Sequence, residues 1–229
     1  MKTIHRITTL VVAAMLLAAP TFAQNATKAS PKESRQRVCH TMGNLDRLIQ
    51  ENAKMPRRMA LIEKQTETYM RQVQAEPAQR SQLVVTIPVV FHVLYNTAAE
   101  NISEAQVMSQ LDILNEDFRR LNANQDNVWS QAADTQIEFC LASQDPNGNP
   151  TDGILRVPTN VTSFGTNDAM KFTSQGGSDA WPASDYMNFW VCDLGSSLLG
   201  YAQFPGGPAS TDGIVCNYTA TGNTGTASA

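Results

Sequence analysis

Few side chains in this sequence have the type and spacing that chemistry needs. The three histidines are His5, His40 and His92. A catalytic zinc ion takes about three protein ligands and keeps a further position open. No HExxH and no paired CxxC occurs in the 229 residues. The GxSxG elbow of a serine hydrolase is absent, and so is a glycine-rich phosphate loop. His92 shares a strand face with Val90 and Leu94, which reads as a packed, hydrogen-bonded histidine. Asp112, Glu116 and Asp117 lie on or near the solvated face of a helix and read as solvating charges.

The four cysteines divide into two kinds. Cys140, Cys192 and Cys216 fall in strand-like segments. In an oxidising compartment two of them could pair and leave one thiol, and the connectivity stays open. Cys39 stands ahead of these, in RVCHTM (37–42). Its neighbours Arg35 and Arg37 favour a thiolate, and a thiolate is a strong zinc ligand.

The element best suited to bind a substrate is YMNFWVCDLGSSLLGYAQF (186–204). Met187 to Leu194 is apolar and aromatic, as in a strand buried on both faces. Leu199 to Phe204 is shorter and is stopped by Pro205, Gly206 and Gly207, which suits a sheet edge. An edge strand can take an extended peptide as an added strand. The candidate binding residues are therefore Gly200, Tyr201, Ala202, Gln203 and Phe204. An ordinary β-turn-β inside a core is the other reading of the same spacing.

The formal net charge of −4 argues against a nucleic-acid partner, which needs a basic face. Lys2 and Arg6, the apolar run Leu10 to Ala19, and Thr21-Phe22-Ala23 read as a signal peptide over 1–23. The apolar run is too short to span a bilayer, and no later stretch could do so. The expected location is secreted, either extracellular or periplasmic. Residues 24–80 form a polar linker and then helices. Pro56 can open the second helix, and Met55, Met59, Ile62, Tyr69 and Val73 give it an apolar stripe. That surface is too small to fold alone, so the segment is expected to pack on the main domain.

The main domain is read over 81–229. LVVTIPVVFHVLY (83–95) is its longest strand-like run. Ser103 with Gln106 forms a capping box ahead of Val107, Leu111, Leu114, Phe118 and Leu121 at helical spacing. Short strands come after it at 137–142 and 213–218, with an irregular stretch over 151–183. The tail TATGNTGTASA has no cap and no apolar anchor. The order implies an α/β layered domain with a mixed sheet.

Several stretches together resemble the pappalysin family of metzincin zinc endopeptidases, particularly its bacterial secreted members. They are IPVVFHVLYN (87–96), SEAQVMSQLDILNEDFRRLN (103–122), DTQIEFCLASQDPNGNPTDGI (134–154), KFTSQGGSDAWPASDYMNFWVCDLG (171–195), LLGYAQFPGG (198–207) and STDGIVCNY (210–218). RVCHTMGNLDRL (37–48) is similar to the start of the family's propeptide. The resemblance implies a metzincin-like upper subdomain: a twisted, mixed, five-stranded sheet with an antiparallel edge strand, a backing helix and a helical propeptide. It also implies Cys39 as a cysteine-switch residue, although His40 stands where the family usually has glycine.

The family's catalytic helix, HExxHxxGxxH, would come after the strand at 213–218, and no residue here matches it. The resemblance therefore implies zinc for the full-length family member and none bindable by this chain alone. Two expectations result. In one, the chain is the N-terminal part of a secreted zinc endopeptidase zymogen, inactive as given. In the other, it is a non-catalytic secreted protein that binds peptides along the same edge.

Overall fold

The computed structural model describes residues 37–75, 84–125, 128–195 and 197–227. The signal peptide, the linker as far as Gln36, and residues 76–83 lie outside the described residues. The elements in chain order are β1 (Val38–Cys39), α1 (Thr41–Glu51), α2 (Met55–Ala75), β2 (Val85–Tyr95), α3 (Glu104–Phe118), β3 (Ile137–Leu141), β4 (Ile154–Pro158), β5 (Met187–Cys192), β6 (Leu198–Ala202) and β7 (Ile214–Asn217). Among these residues no helix is long and apolar enough to cross a membrane.

The protein has a mixed α/β, metzincin-like fold built on one sheet, ordered β1-β6-β7-β5-β2-β3, with β4 also paired to β2. The five strands expected from the sequence are all present, and β1 and β4 join them. The β-branched run of β2 suits a strand paired along both edges, with β5 on one side and β3 and β4 on the other, and it is buried from Val89 to Leu94. One edge of β2 serves two partners in turn: Val85–Val89 pair with β3 and Phe91–Tyr95 with β4, all parallel. The ladder to β5 begins at Val89, so Pro88 lies just ahead of it, where its missing N–H costs that ladder nothing. Among the described strand pairs only β6–β7 is antiparallel.

Strand alternation gives the sheet two different cores. Val89, Phe91 and Val93 face α3 and pack with Val107, Leu111, Phe139, Phe189 and Val191. On the other face Leu94, Trp190, Cys192, Tyr201 and Val215 pack with Phe164 and Met170 from the irregular stretch. His92 sits on this second face, fully buried and stacked 4.9 Å from Trp190.

Ser103 caps α3 as expected, its Oγ accepting from the Gln106 backbone N–H at 3.2 Å. The other half of the capping box does not form. The Gln106 side chain is buried and turns to the tail, donating to the Tyr218 and Thr221 carbonyls at 2.9 and 3.0 Å. Its Oε1 accepts from the Thr226 N–H at 2.9 Å. The tail, without an apolar anchor, is thus held by polar ones, with Ser109 and Gln110 adding bonds to Asn223 and Gly222. Buried backbone groups need partners, and α3 supplies them.

The helical segment packs less completely than its apolar stripe suggests. In α1, Asn44 and Leu48 are buried against the domain, and α1 contacts β6. In α2 only Met55 is buried, while Ile62 and Tyr69 of the stripe are exposed. The first turn of α2 meets the Pro205–Pro208 loop, where Arg58 donates to the Gly206 carbonyl at 3.4 Å. Beyond that turn the side-chain bonds of α2 are local, from Thr66 to the Ile62 carbonyl and from Arg71 to Glu67.

Candidate functional site

The candidate site is the outer edge of β6, and that edge is not bare. β1 pairs with it in parallel, Val38 opposite Leu198 and Cys39 opposite Gly200. Val38 N–H donates to the Ser197 carbonyl at 2.9 Å, and His40 N–H to the Gly200 carbonyl at 3.0 Å. Beyond β1, side chains of α1 take over: Ala202 N–H donates to Thr41 Oγ1 at 3.1 Å, and Asn44 Nδ2 donates to the Ala202 carbonyl at 3.1 Å. A segment of the same chain thus does what an added peptide strand would do.

The sequence-predicted binding residues separate into two groups. Gly200, Tyr201 and Ala202 belong to β6, with Gly200 presenting its carbonyl and Ala202 both backbone groups to the covering segment. Gln203 and Phe204 lie past the strand end. Gln203 accepts from Thr211 Oγ1 at 2.7 Å and donates to the Pro208 carbonyl at 3.0 Å, so its side chain stabilises its own loop. Gly200 has no room for a side chain. A Cβ there would meet the Val215 carbonyl oxygen at 2.4 Å.

Cys39 is exposed, directly across the ladder from Gly200. Its thiol is held below the usual value by the hydroxyl and then the backbone of Thr41. Thr41 Oγ1 already accepts from Ala202, which leaves its O–H free to point at the sulfur 3.3 Å away. The sequence points to Arg35 and Arg37 for this effect; Arg35 lies outside the described residues, and the structure assigns the effect to Thr41. The His40 imidazole lies over Gly43, where a Cβ would come within 2.3 Å of its ring. The glycine at 43 is what makes room for the bulk at 40.

Cys140 is exposed on β3, Cys216 is half-buried on β7 and Cys192 is buried on β5. All are free thiols, and burial pushes the Cys192 thiol well above its usual value. His92 is fully committed: Nδ1 bonds Ser178 Oγ at 2.8 Å and Nε2 bonds Asn188 Oδ1 at 3.0 Å. Burial lowers its pKa to about 4. Asn188 Oδ1 only accepts, so Nε2–H donates to it, and the one ring lone pair, on Nδ1, takes the Ser178 hydroxyl. Among the described residues no group of three or more His, Cys, Asp or Glu could hold a metal ion.

Three side chains around β6 gave no sequence signal, namely Arg47, Asp168 and Lys171. Asp168, Lys171 and Tyr201 meet beneath the strand, and Arg47 reaches them from α1. Lys171 lies within 5.3 Å of the Trp190 ring centroid and 5.2 Å of that of Tyr201. Burial lowers the Lys171 pKa, and Asp168 opposes that shift. Burial also works against the Arg47 charge, but Asp168 and Glu51 outweigh it and hold its pKa above the usual value. A cavity of about 410 Å³, lined by Pro88, Tyr186 and Asp212 among others, shares no residue with this edge.

Three solved structures are similar to this chain. Tannerella forsythia mature mirolysin in complex with a cleaved peptide is 48% identical, with TM-score 0.62, covering 65% of this chain and 58% of that one. Mirolysin in complex with a compound is 47% identical, with TM-score 0.59 and the same coverage. A point mutant of Tannerella forsythia promirolysin is 41% identical, with TM-score 0.71, covering 84% of this chain and 63% of that one. The chain thus spans about three fifths of the length of the solved chains it matches. No family profile and no curated protein matches the sequence.

Proposed function

We propose that this chain comes from a secreted zinc metalloendopeptidase zymogen of the pappalysin type. Residues 1–23 are its signal peptide, 24–80 its propeptide and 81–229 the upper part of its catalytic domain. The observation that carries the reading is β1 lying on β6, with Cys39 opposite Gly200. A propeptide strand occupies the edge that an extended substrate would need. Likeness to both a mature, peptide-bound form and a pro-form of one proteinase supports it, and the pro-form match covers more of this chain.

In this reading β6 aligns the substrate through its Gly200 and Ala202 backbone groups, and no side-chain chemistry is asked of it. Cys39 is the latency residue. Thr41 keeps its thiol acidic while β1 fixes its place above the edge. The hydrolytic chemistry belongs to the zinc ion and the HExxHxxGxxH helix, for which no residue of these 229 stands.

The test is a chimera in which residues 24–227 continue into the remaining part of mirolysin. It should cleave a denatured protein in a chelator-sensitive way after an activation lag, and Cys39→Ala should shorten that lag. The 229-residue chain alone should show no chelator-sensitive cleavage. An inactive chimera whose β6 nevertheless takes up an extended peptide would favour a non-catalytic peptide binder. A lag unchanged by Cys39→Ala would remove the latency role.

A further inference from the structure

We propose that Arg47 and Asp168 form an ionic latch that holds β1 and α1 on the β6 edge, separately from Cys39. The inference deepens the zymogen reading by naming the contact that keeps the covering segment in place.

The main-domain half of the latch is built in advance. Asp168 has a side chain only 3% exposed and sits at φ 63°, ψ 13°, a left-handed conformation uncommon for a residue with a side chain. Its carboxylate makes no cap bond to the adjoining 3₁₀ turn, so the conformation does not serve that turn. Instead Oδ1 accepts from Tyr201 Oη at 2.9 Å and pairs with Lys171 Nζ at 2.9 Å. Lys171, with a fully buried side chain, is itself fixed by donating to the Thr211 carbonyl at 2.7 Å. These partners belong to the main domain and stay when α1 leaves.

The other carboxylate oxygen is met by α1. Asp168 Oδ2 accepts from Arg47 Nη2. Arg47 is oriented by Glu51 Oε2 at 2.8 Å and by Asn44 Oδ1 at 2.7 Å. Asn44 in turn donates to the Ala202 carbonyl. One chain of contacts thus runs from the β6 edge through Asn44 and Arg47 to Asp168, and back to β6 through Tyr201.

The rest of the docking rests on few side chains. β1 has two residues, both with exposed side chains, α1 buries only Asn44 and Leu48, and α2 adds Met55 and the Arg58 bond to the Gly206 carbonyl. A two-residue strand cannot hold its own register, since ordering it costs more than its few hydrogen bonds return. A charge pair with one buried member is screened less than a surface pair, and it lies where the segment needs an anchor.

The test is amide hydrogen exchange on the full chain, which needs no peptidase activity, so its outcome is independent of whether the enzyme reading holds. Arg47→Met keeps most of the side-chain stem and removes the charge. It should speed exchange across 39–51 by about two- to fivefold, with β2 and β5 unchanged. Arg47→Lys should fall between the variant and the parent. Raising salt from about 0.05 M to about 0.5 M should loosen the same segment in the parent but not in Arg47→Met. Asp168→Asn should match Arg47→Met at α1, but it leaves Lys171 unpaired, so the Arg47 variants decide if it misfolds. Unchanged exchange at 39–51 in Arg47→Met, or an equal rise in β2 and β5, would overturn the proposal.

Discussion

Gly200 is where a single methyl group should undo the β6 edge. A Cβ built there lies 2.4 Å from the Val215 carbonyl oxygen and 3.2 Å from Cys216 Cα. The first contact is about 1 Å inside ordinary van der Waals distance, and both atoms are backbone of β7, so no rotamer relieves them. Overpacking of this kind costs about 1–3 kcal/mol. Relief requires β6 to move off β7, weakening the pairing of Gly200 with Cys216 and Tyr201 with Val215; each lost ladder bond adds about 1 kcal/mol. The sum for Gly200→Ala is roughly 2–4 kcal/mol, or a fall in Tm of roughly 5–15 °C for a domain of this size. Scanning calorimetry gives the Tm, and hydrogen exchange shows whether β1 loosens with β6, since His40 N–H donates to the Gly200 carbonyl. Ala202→Gly in the same strand is the control and should cost only about 0.5–1 kcal/mol. A Gly200→Ala protein melting within about 2 °C of the parent, with β6 exchange unchanged, would refute the reasoning.

Other perturbations read other parts of the chain. His92 has a folded pKa of about 4 against 6.5 unfolded, so only the unfolded chain takes up its proton between those values. The His92 contribution is therefore intact above pH 6.5 and lost as pH falls toward 4, by about 3 kcal/mol in all. His92→Gln should flatten that part of the stability–pH curve, and parallel curves for parent and variant would count against it. Thr41→Val should raise the Cys39 pKa and slow its alkylation near neutral pH, read by site-resolved mass spectrometry with exposed Cys140 as internal reference. An unchanged Cys39 rate would exclude Thr41 as the cause. Gln106→Leu strips partners from the Tyr218, Thr221 and Thr226 backbone groups and should cost roughly 2–4 kcal/mol in denaturant unfolding. Its exchange signature belongs in 218–227, and loss confined to the start of α3 would instead support the capping-box role.

The individual elements could be read from the sequence because each carries a local period. The β-branched run at 83–95 became β2, and the apolar spacing behind Ser103 became α3. His92 was legible too, because an alternating strand face places it with Val90 and Leu94. Where a signal depended on a distant partner, the local reading went astray. The Gln106 amide was close enough to Ser103 to suggest a capping box, but buried carbonyls at 218 and 221 made the stronger demand. The Cys39 environment points locally to its sequence neighbours, whereas Thr41 acts because the Ala202 N–H holds its hydroxyl in place.

The sequence by itself determined that β6 would be a short strand closed off ahead of Pro205, because proline and glycine act on the chain locally, although the strand ends at Ala202 rather than Phe204. Only the tertiary structure decided that this edge is covered by residues 38–44, and that Asp168 lies beneath it with Lys171 and Arg47. Asp168 sits in a stretch without helical or strand period, 121 residues from Arg47, so nothing local links them. Their meeting depends on the path of the whole chain: β6 must pair with β7, and α1 must lie along β6 before the guanidinium can reach the carboxylate.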